Sequence, residues 1–479
     1  MPDKPSAAWE PLHSAHRHSV DYLSSLSDRP VAATSDLRSL RERLALPLAD
    51  EATDATEVID DLVRAVSGGL LSSAGPRFFG WVIGGALPAA LAADWLTSAW
   101  DQNAGLYACA PAAAVVEEVV GDWLKQILHL PHSASFALVT GCQMAHMTCL
   151  AAARHRLLAD RNWDVETDGL AGSPPIRILT STEKHATILR AVRLLGIGER
   201  SVMQLPVDDR GRLLTSALTS ALESAPAQPT VVVLQAGDLN VGAFDPFTTL
   251  IPIAKRFNAW VHVDGAFGLW AAASSRLRPL LDGVAAADSW ATDGHKWLNV
   301  PYDCGYAFVA DPEAHRAAFS LRASYLTHDT DARDQIDWNP EWSRRSRGFA
   351  TYAALRQLGR DGVASLIDRT CAHALAIVTG IGALPGAEIV STPQINQGLV
   401  RFLDPRDNAS PADSDTFTDR IMAAILASGE AFFTGTTWHG RRAMRVSVCN
   451  WQTSEADVDR VIASVAKVLR LARETGSLS

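Results

Sequence analysis

The chain has 479 residues, enough to bury a large core in two or three domains. Its apolar fraction of 47% and charged fraction of 20% are those of a soluble globular protein. A net charge of −10 argues against nucleic acid or an anionic membrane as partner, and six cysteines without paired spacing suit a reducing cytoplasm.

The first ten residues are polar and lack the apolar stretch of a secretory signal. Residues 1 to about 75 read as amphipathic helices, one capped at Ser35-Asp36 and another over 50–66. The most apolar run, 80–96, contains a proline and Asp94, so it reads as core or pocket wall and not as a membrane span. A helix is expected over 111–128, then a strand over 136–140. The turn Gly141-Cys142-Gln143 and a helix over 144–158 follow. Strand, small-residue turn and helix start make an anion cradle, because the first helical N–H groups have no partner within the helix. His146, a lone histidine on that helix, reads as structural. A strand over 176–181 leads into His185 and a helix ending near Leu195. A β-branched strand over 230–234 feeds the loop 235–245, and a helix over 250–257 leads into a strand opening at Trp260. Strands alternating with helices predict a mostly parallel sheet covered on both faces, with its site at the carboxyl ends of the strands. A strand over 305–310, a helix over 351–377 and strands over 399–402 and 444–448 complete the chain, the last two in a C-terminal α+β domain. The sequence shows no repeat and no metal-ligand spacing.

Two pieces carry the chemistry. Trp260-Val261-His262-Val263-Asp264-Gly265-Ala266-Phe267-Gly268 is a buried strand ending in a carboxylate. Asp293-Gly294-His295-Lys296-Trp297 is a strand end turning into a lysine. Pyridoxal phosphate (PLP) needs a lysine for its aldehyde carbon and a carboxylate at its ring nitrogen. Spacing alone leaves a strand-end cap and a loop lysine as equal readings. The two motifs together resemble those of the group II PLP-dependent decarboxylases, which include the aromatic amino acid and glutamate decarboxylases. Further matches extend the resemblance over residues 75 to 460.

The resemblance implies the fold type I architecture, an α/β fold with a mostly parallel central sheet. The chain then divides into an N-terminal helical segment (1–95), a large PLP-binding domain (96–370) and a small C-terminal domain (371–479). The resemblance implies a homodimer with shared sites, across which the N-terminal helices pack. It makes Lys296 and His185 catalytic, with His185 stacking on the cofactor ring and Ala266 on its other face. Asp264, Gly141, Cys142, Gln143, His295 and Asn240 complete the cofactor set. Cys142 and Gln143 depart from the small or hydroxyl residues usual there, although backbone donors need no particular side chain. Arg445 is expected to bind the substrate α-carboxylate, with Phe79 and Trp81 at the side-chain pocket. Arg344-Arg345-Ser346-Arg347 reads as a solvated basic patch or as the arginine-rich turn that follows a mobile catalytic loop in relatives. Relatives also carry a loop tyrosine that donates a proton. Gln335 stands at that position, so His328 is the expected donor.

The expected activity is PLP-dependent decarboxylation of an L-amino acid to the amine and CO2, with aromatic or other apolar side chains favoured. The missing tyrosine keeps a decarboxylation-dependent aldehyde synthase or an aminotransferase-like enzyme as the alternative. A non-catalytic binding protein is the remote one.

Overall fold

The computed structural model describes residues 7–321 and 332–475. His328 lies outside the described residues. Three helices open the chain: Glu10–Ser24, Leu37–Leu44 and Ala55–Val66. Asp36 caps the second by accepting the Ser39 N–H, as the sequence suggested, and Asp54 caps the third. The apolar stretch from residue 80 contains a further helix, Pro88–Trp100, opened by its proline at the first turn.

A seven-stranded sheet forms the large core. Its strands are β1 (Ser135–Val139), β2 (Arg177–Ser181), β3 (Val202–Leu205), β4 (Thr230–Gln235), β5 (Trp260–Asp264), β6 (Ser289–Asp293) and β7 (Gly305–Val309), in the order β1-β7-β6-β5-β4-β2-β3. Pairings from β3 to β6 are parallel, and β7 runs antiparallel to both β6 and β1. Alternation sorts the side chains. Val232, Leu234, Val261 and Val263 enter one apolar cluster with the helix Phe247–Arg256, and Val231 and Val233 enter another with the helix Cys142–Ala159. A sheet buried on both faces explains the apolar run 231–234 of β4.

A long helix, Gly348–Gly382, kinks at Gly359, whose φ of 62° is open only to glycine at low cost. The boundary expected after 370 falls within this helix. Beyond it β8 (Ala387–Ser391), β9 (Gln397–Phe402), β10 (Thr434–Trp438) and β11 (Arg441–Ser447) form an antiparallel sheet in the order β10-β11-β9-β8. The helices Pro411–Ala427 and Glu455–Thr475 join it around a second core. No helix among the described residues is long and apolar enough to cross a membrane.

Candidate active site

The strand register assembles the site. Asp264 ends β5 and stands beside Gln235 of β4 and Ala291 of β6, so the carboxyl ends of three parallel strands share one edge. Val139 of β1, Gly305 of β7 and Asp293 of β6 lie in one row. That row delivers the turn at Gly141 to the turn at Lys296. A side chain on Gly305 would run into the Gly141 backbone, so glycine at 305 permits the close approach.

Lys296 Nζ lies 3.0 Å from Oδ2 of the buried Asp293. Burial, the largest single influence, pushes the lysine pKa down, but Asp293 together with Cys142 and Asp264 more than offsets it, and the net shift is upward. The same carboxylate accepts the Cys142 N–H through Oδ1 at 2.5 Å. Asp293 was quoted in the sequence motif without a role. Its signal was its spacing, one helical turn before the lysine.

Asp264 Oδ1 accepts the Ala266 N–H at 3.2 Å and stands 3.6 Å from His146 Nε2. No hydrogen bond from the described residues reaches Oδ2. His185 caps the helix Ala186–Leu194 by accepting the Thr187 N–H, and it stands accessible at the cleft mouth. Burial of its inner face lowers its pKa, with Asp264, Lys296 and Arg445 all near enough to act on it. The histidine expected to stack on the cofactor is therefore also the helix cap.

The donor set fits a phosphate and an aldehyde. The buried side-chain amide of Gln143, at the start of the helix Cys142–Ala159, has no hydrogen-bond partner at either atom among the described residues. A buried amide left so is costly unless a ligand meets it. His295 Nδ1 accepts the Cys304 N–H at 3.1 Å, which leaves Nε2 carrying its proton, 3.6 Å from Asp293 Oδ1. Tyr302 stacks on that imidazole at 4.3 Å. The Gly141–Gln143 turn and His295 thus offer donors for a phosphate, Lys296 an amine for the aldehyde carbon, and Asp264 a carboxylate for the ring nitrogen. Cys142 is buried, and burial with the Asp293 charge holds its thiol protonated.

Other expected residues fall in varied places. Arg445, on β11, is buried, and burial lowers its pKa to about 10. Asn240 bridges two segments: its amide donates to Glu183 at 3.3 Å and accepts from Thr436 at 2.7 Å. Phe79 is fully buried against Phe433 in the C-terminal core. Trp81, at φ 47°, is half exposed and packs on Phe432 and Phe78. Gln335 is buried and accepts from Arg333. The basic run 344–347 is no solvated patch. Arg344 and Arg347 are buried, and each of Arg344, Arg345 and Arg347 meets a carboxylate. Side-chain atoms of Cys142, His146 and Asp264 gather within 4.8 Å, a grouping that sequence spacing did not reveal.

Comparison with known proteins identifies the family and the fold. The pyridoxal-dependent decarboxylase conserved domain matches residues 38–403. An aromatic-L-amino-acid decarboxylase of Bacillus atrophaeus is 25% identical over 462 residues, covering 95% of this chain and 93% of its own. An L-2,4-diaminobutyrate decarboxylase of Rhizobium meliloti is 29% identical over 388 residues, covering 80% and 75%. The crystal structure of Oryza sativa TDC with PLP and tryptamine shares the fold, with a TM-score of 0.92 at 24% identity and 99% of each chain covered. With the conserved domain spanning most of its length, the chain belongs to the pyridoxal-dependent decarboxylase family.

Proposed function

We propose that the protein decarboxylates an L-amino acid with an aromatic or other apolar side chain, releasing the amine and CO2. One observation carries the assignment of the site. A single sheet edge gathers a half-buried lysine, a carboxylate with one open oxygen and an anion cradle whose Gln143 amide is unpartnered among the described residues. Bound there, PLP supplies an electron sink for the pair left when the Cα–carboxylate bond breaks.

The protein's own groups do the rest. With the cofactor bound, Asp264 would hold the proton on the ring nitrogen and Lys296 would supply the amine for its aldehyde carbon. His185 and Ala266 would hold the ring between them. Arg445 takes the α-carboxylate in its planar fork. The preference for an apolar side chain rests on the segment that passes the lysine: Gly84 packs against the Lys296 backbone, and the nearby half-exposed Trp81, packed on Phe432, adds no charge. We further read the enzyme as a cytoplasmic homodimer. Its six cysteines are all free, as suits a reducing compartment.

The experiment incubates the holoenzyme with a panel of amino acids and quantifies CO2, amine, aldehyde and peroxide. Amine should match CO2, and phenylalanine, tyrosine or tryptophan should outpace glutamate. Lys296→Ala should abolish turnover and leave no lysine to which borohydride fixes the cofactor. Stoichiometric aldehyde, ammonia and peroxide in air would replace this reading with an aldehyde synthase. The burial of Gln335, an amide with no usable acid, at the position of the relatives' tyrosine makes that the second reading.

A further inference from the structure

Asp264 is backed by a chain of buried polar groups to which the proposed chemistry assigns no role. Alternation along β5 turns His262 and Asp264 toward the face covered by the helix Cys142–Ala159, where His146 meets both. Ser289, on β6, accepts the Trp260 indole N–H at 2.9 Å and lies 2.9 Å from His262 Nδ1. His262 Nε2 lies 2.9 Å from His146 Nδ1. His146 Nε2 then stands 3.6 Å from Asp264 Oδ1 and 3.3 Å from Cys142 Sγ. Ser289, His262 and His146 are fully buried.

The protons in this chain can be counted. Burial lowers both histidines to about 3, so each ring is neutral, with one donor and one acceptor nitrogen. Fixing one end therefore fixes every link. The Asp264 carboxylate only accepts. A lone pair on His146 Nε2 facing it would be repelled, whereas an N–H is attracted. His146 Nε2 thus carries the proton and Nδ1 accepts from His262 Nε2–H. His262 Nδ1 in turn accepts the Ser289 hydroxyl. The opposite order needs the Cys142 thiol to donate to His146, which would turn the lone pair toward the carboxylate side. At 3.6 Å the last contact is just beyond a full hydrogen bond, so it acts as an aligned dipole on the charge. It pulls on Oδ1, the oxygen that already takes the Ala266 N–H.

We propose that His146 is a positioning residue for the reaction: through the Ser289–His262–His146 chain it fixes which Asp264 oxygen faces the cofactor's ring nitrogen. This rests on Asp264 being that nitrogen's partner. In a buried, directional network of this kind the donor that faces the carboxylate matters most, and the links behind it orient that donor.

The test uses the holoenzyme and two variants. His146→Gln keeps a donor at the reach of Nε2, and His146→Leu fills similar space without one. The readouts are the Kd for PLP and the pH profile of the cofactor's visible absorption. His146→Leu should weaken cofactor binding roughly 10-fold, the lower end of what losing the partner of a site ligand costs, and should displace the pH profile. His146→Gln should restore most of both. Wild-type Kd and profile in His146→Leu overturn the proposal, and so do equal losses in both variants at unchanged melting temperature. If His146→Leu does not fold, imidazole ¹⁵N spectra of the wild-type holoenzyme decide. A proton on His146 Nε2 is expected, and a proton on Nδ1 overturns it. Wild-type protein that takes up no PLP would bring down the site reading itself, and this inference with it.

Discussion

Arg445 carries a charge into a place that offers it little to bind. Among the described residues its guanidinium makes one hydrogen bond, from Nη1 to the Leu239 carbonyl at 3.2 Å, and its Nε is buried without a partner. The nearest acid, Asp238, is occupied: its carboxylate takes the backbone N–H groups of Asn240, Val241 and Ala243. A buried guanidinium in this condition is costly unless an anion completes it. A carboxylate matches its fork with two parallel bonds. Arg445→Ala should therefore lower kcat/KM by about 10–100-fold, the loss of a charge-assisted hydrogen bond of roughly 1.5–3 kcal/mol. Arg445→Lys should already be impaired, because an ammonium lacks the fork. Steady-state kinetics with amino acids and with their amides check this. Amides should bind poorly to the wild type and be discriminated less in the variants, whereas unchanged kinetics in Arg445→Ala would remove the residue from the substrate site. The placement of Asp264 and Lys296 at neighbouring strand ends, and of Arg445 on a strand, was legible because their motifs are local in sequence. His146 was not, because its meaning depends on a helix face meeting the 262/264 face of a strand more than a hundred residues away. The period of two along β5 was visible, but the face on which the helix would land was not.

At the scale of elements, the turn around residues 344–347 shows what charge alone does not reveal. Arg344 Nη1 reaches both oxygens of Glu117, at 3.0 and 2.8 Å, and also the Ala104 carbonyl at 3.1 Å. Its Nη2 donates to the Leu138 carbonyl at 2.7 Å, next to the end of β1. Both side chains are essentially unexposed. Glu117 also accepts the Arg347 N–H at 3.2 Å, and Arg347 Nε donates to Asp303 at 3.0 Å. The turn thus ties the helix Pro111–Ile127 to the strand that precedes the phosphate cradle. Arg344→Ala would leave the Glu117 charge buried and uncompensated, a loss of about 3–5 kcal/mol. The double variant Arg344→Met with Glu117→Leu should recover most of it, since matched apolar groups replace a buried pair at small cost. Denaturant unfolding measures both, and a loss below about 1 kcal/mol in the single variant would show the pair to be dispensable. Long or strongly patterned elements were legible: β4 is a β-branched run, and the helix Pro111–Ile127 keeps helical spacing. The long helices Pro411–Ala427 and Glu455–Thr475 went unread despite their length, whereas the other omitted elements lack such a signature. The strands β3, β8 and β10 are short and only partly buried, and pairing with a neighbour defines them. The helix Pro88–Trp100 was hidden inside an apolar run whose proline reads equally as an interruption or as a helix start.

On the scale of the whole molecule, the N-terminal helices lack a core of their own. The helix Glu10–Ser24 buries only Ser14, and the helices Leu37–Leu44 and Ala55–Val66 bury no residue. Asp60 links the first to the third through His18 at 2.8 Å and through Ser14, which holds the pair together without an apolar interior. Leu12, Val20, Leu37, Leu44, Val58 and Leu62 stay exposed, as do Trp95, Leu96 and Trp100 on the helix Pro88–Trp100. Helices of 8 to 15 residues are marginal in water without tertiary packing. An apolar surface repeated along several of them marks a face meant to be covered. In the proposed homodimer a second copy of the chain would cover it. Fully burying one valine or leucine contributes about 1.5–3 kcal/mol. Replacing Val58 and Leu62 together by glutamate should therefore raise the dimer dissociation constant by about 10²-fold or more. Sedimentation velocity across a dilution series reads that shift. Specific activity measured at the same dilutions should fall with the dimer fraction if residues of both subunits complete each site. A wild-type chain that sediments as a monomer at micromolar concentration with full activity would refute the dimer. An unshifted dissociation constant in the double variant would move the interface away from these helices.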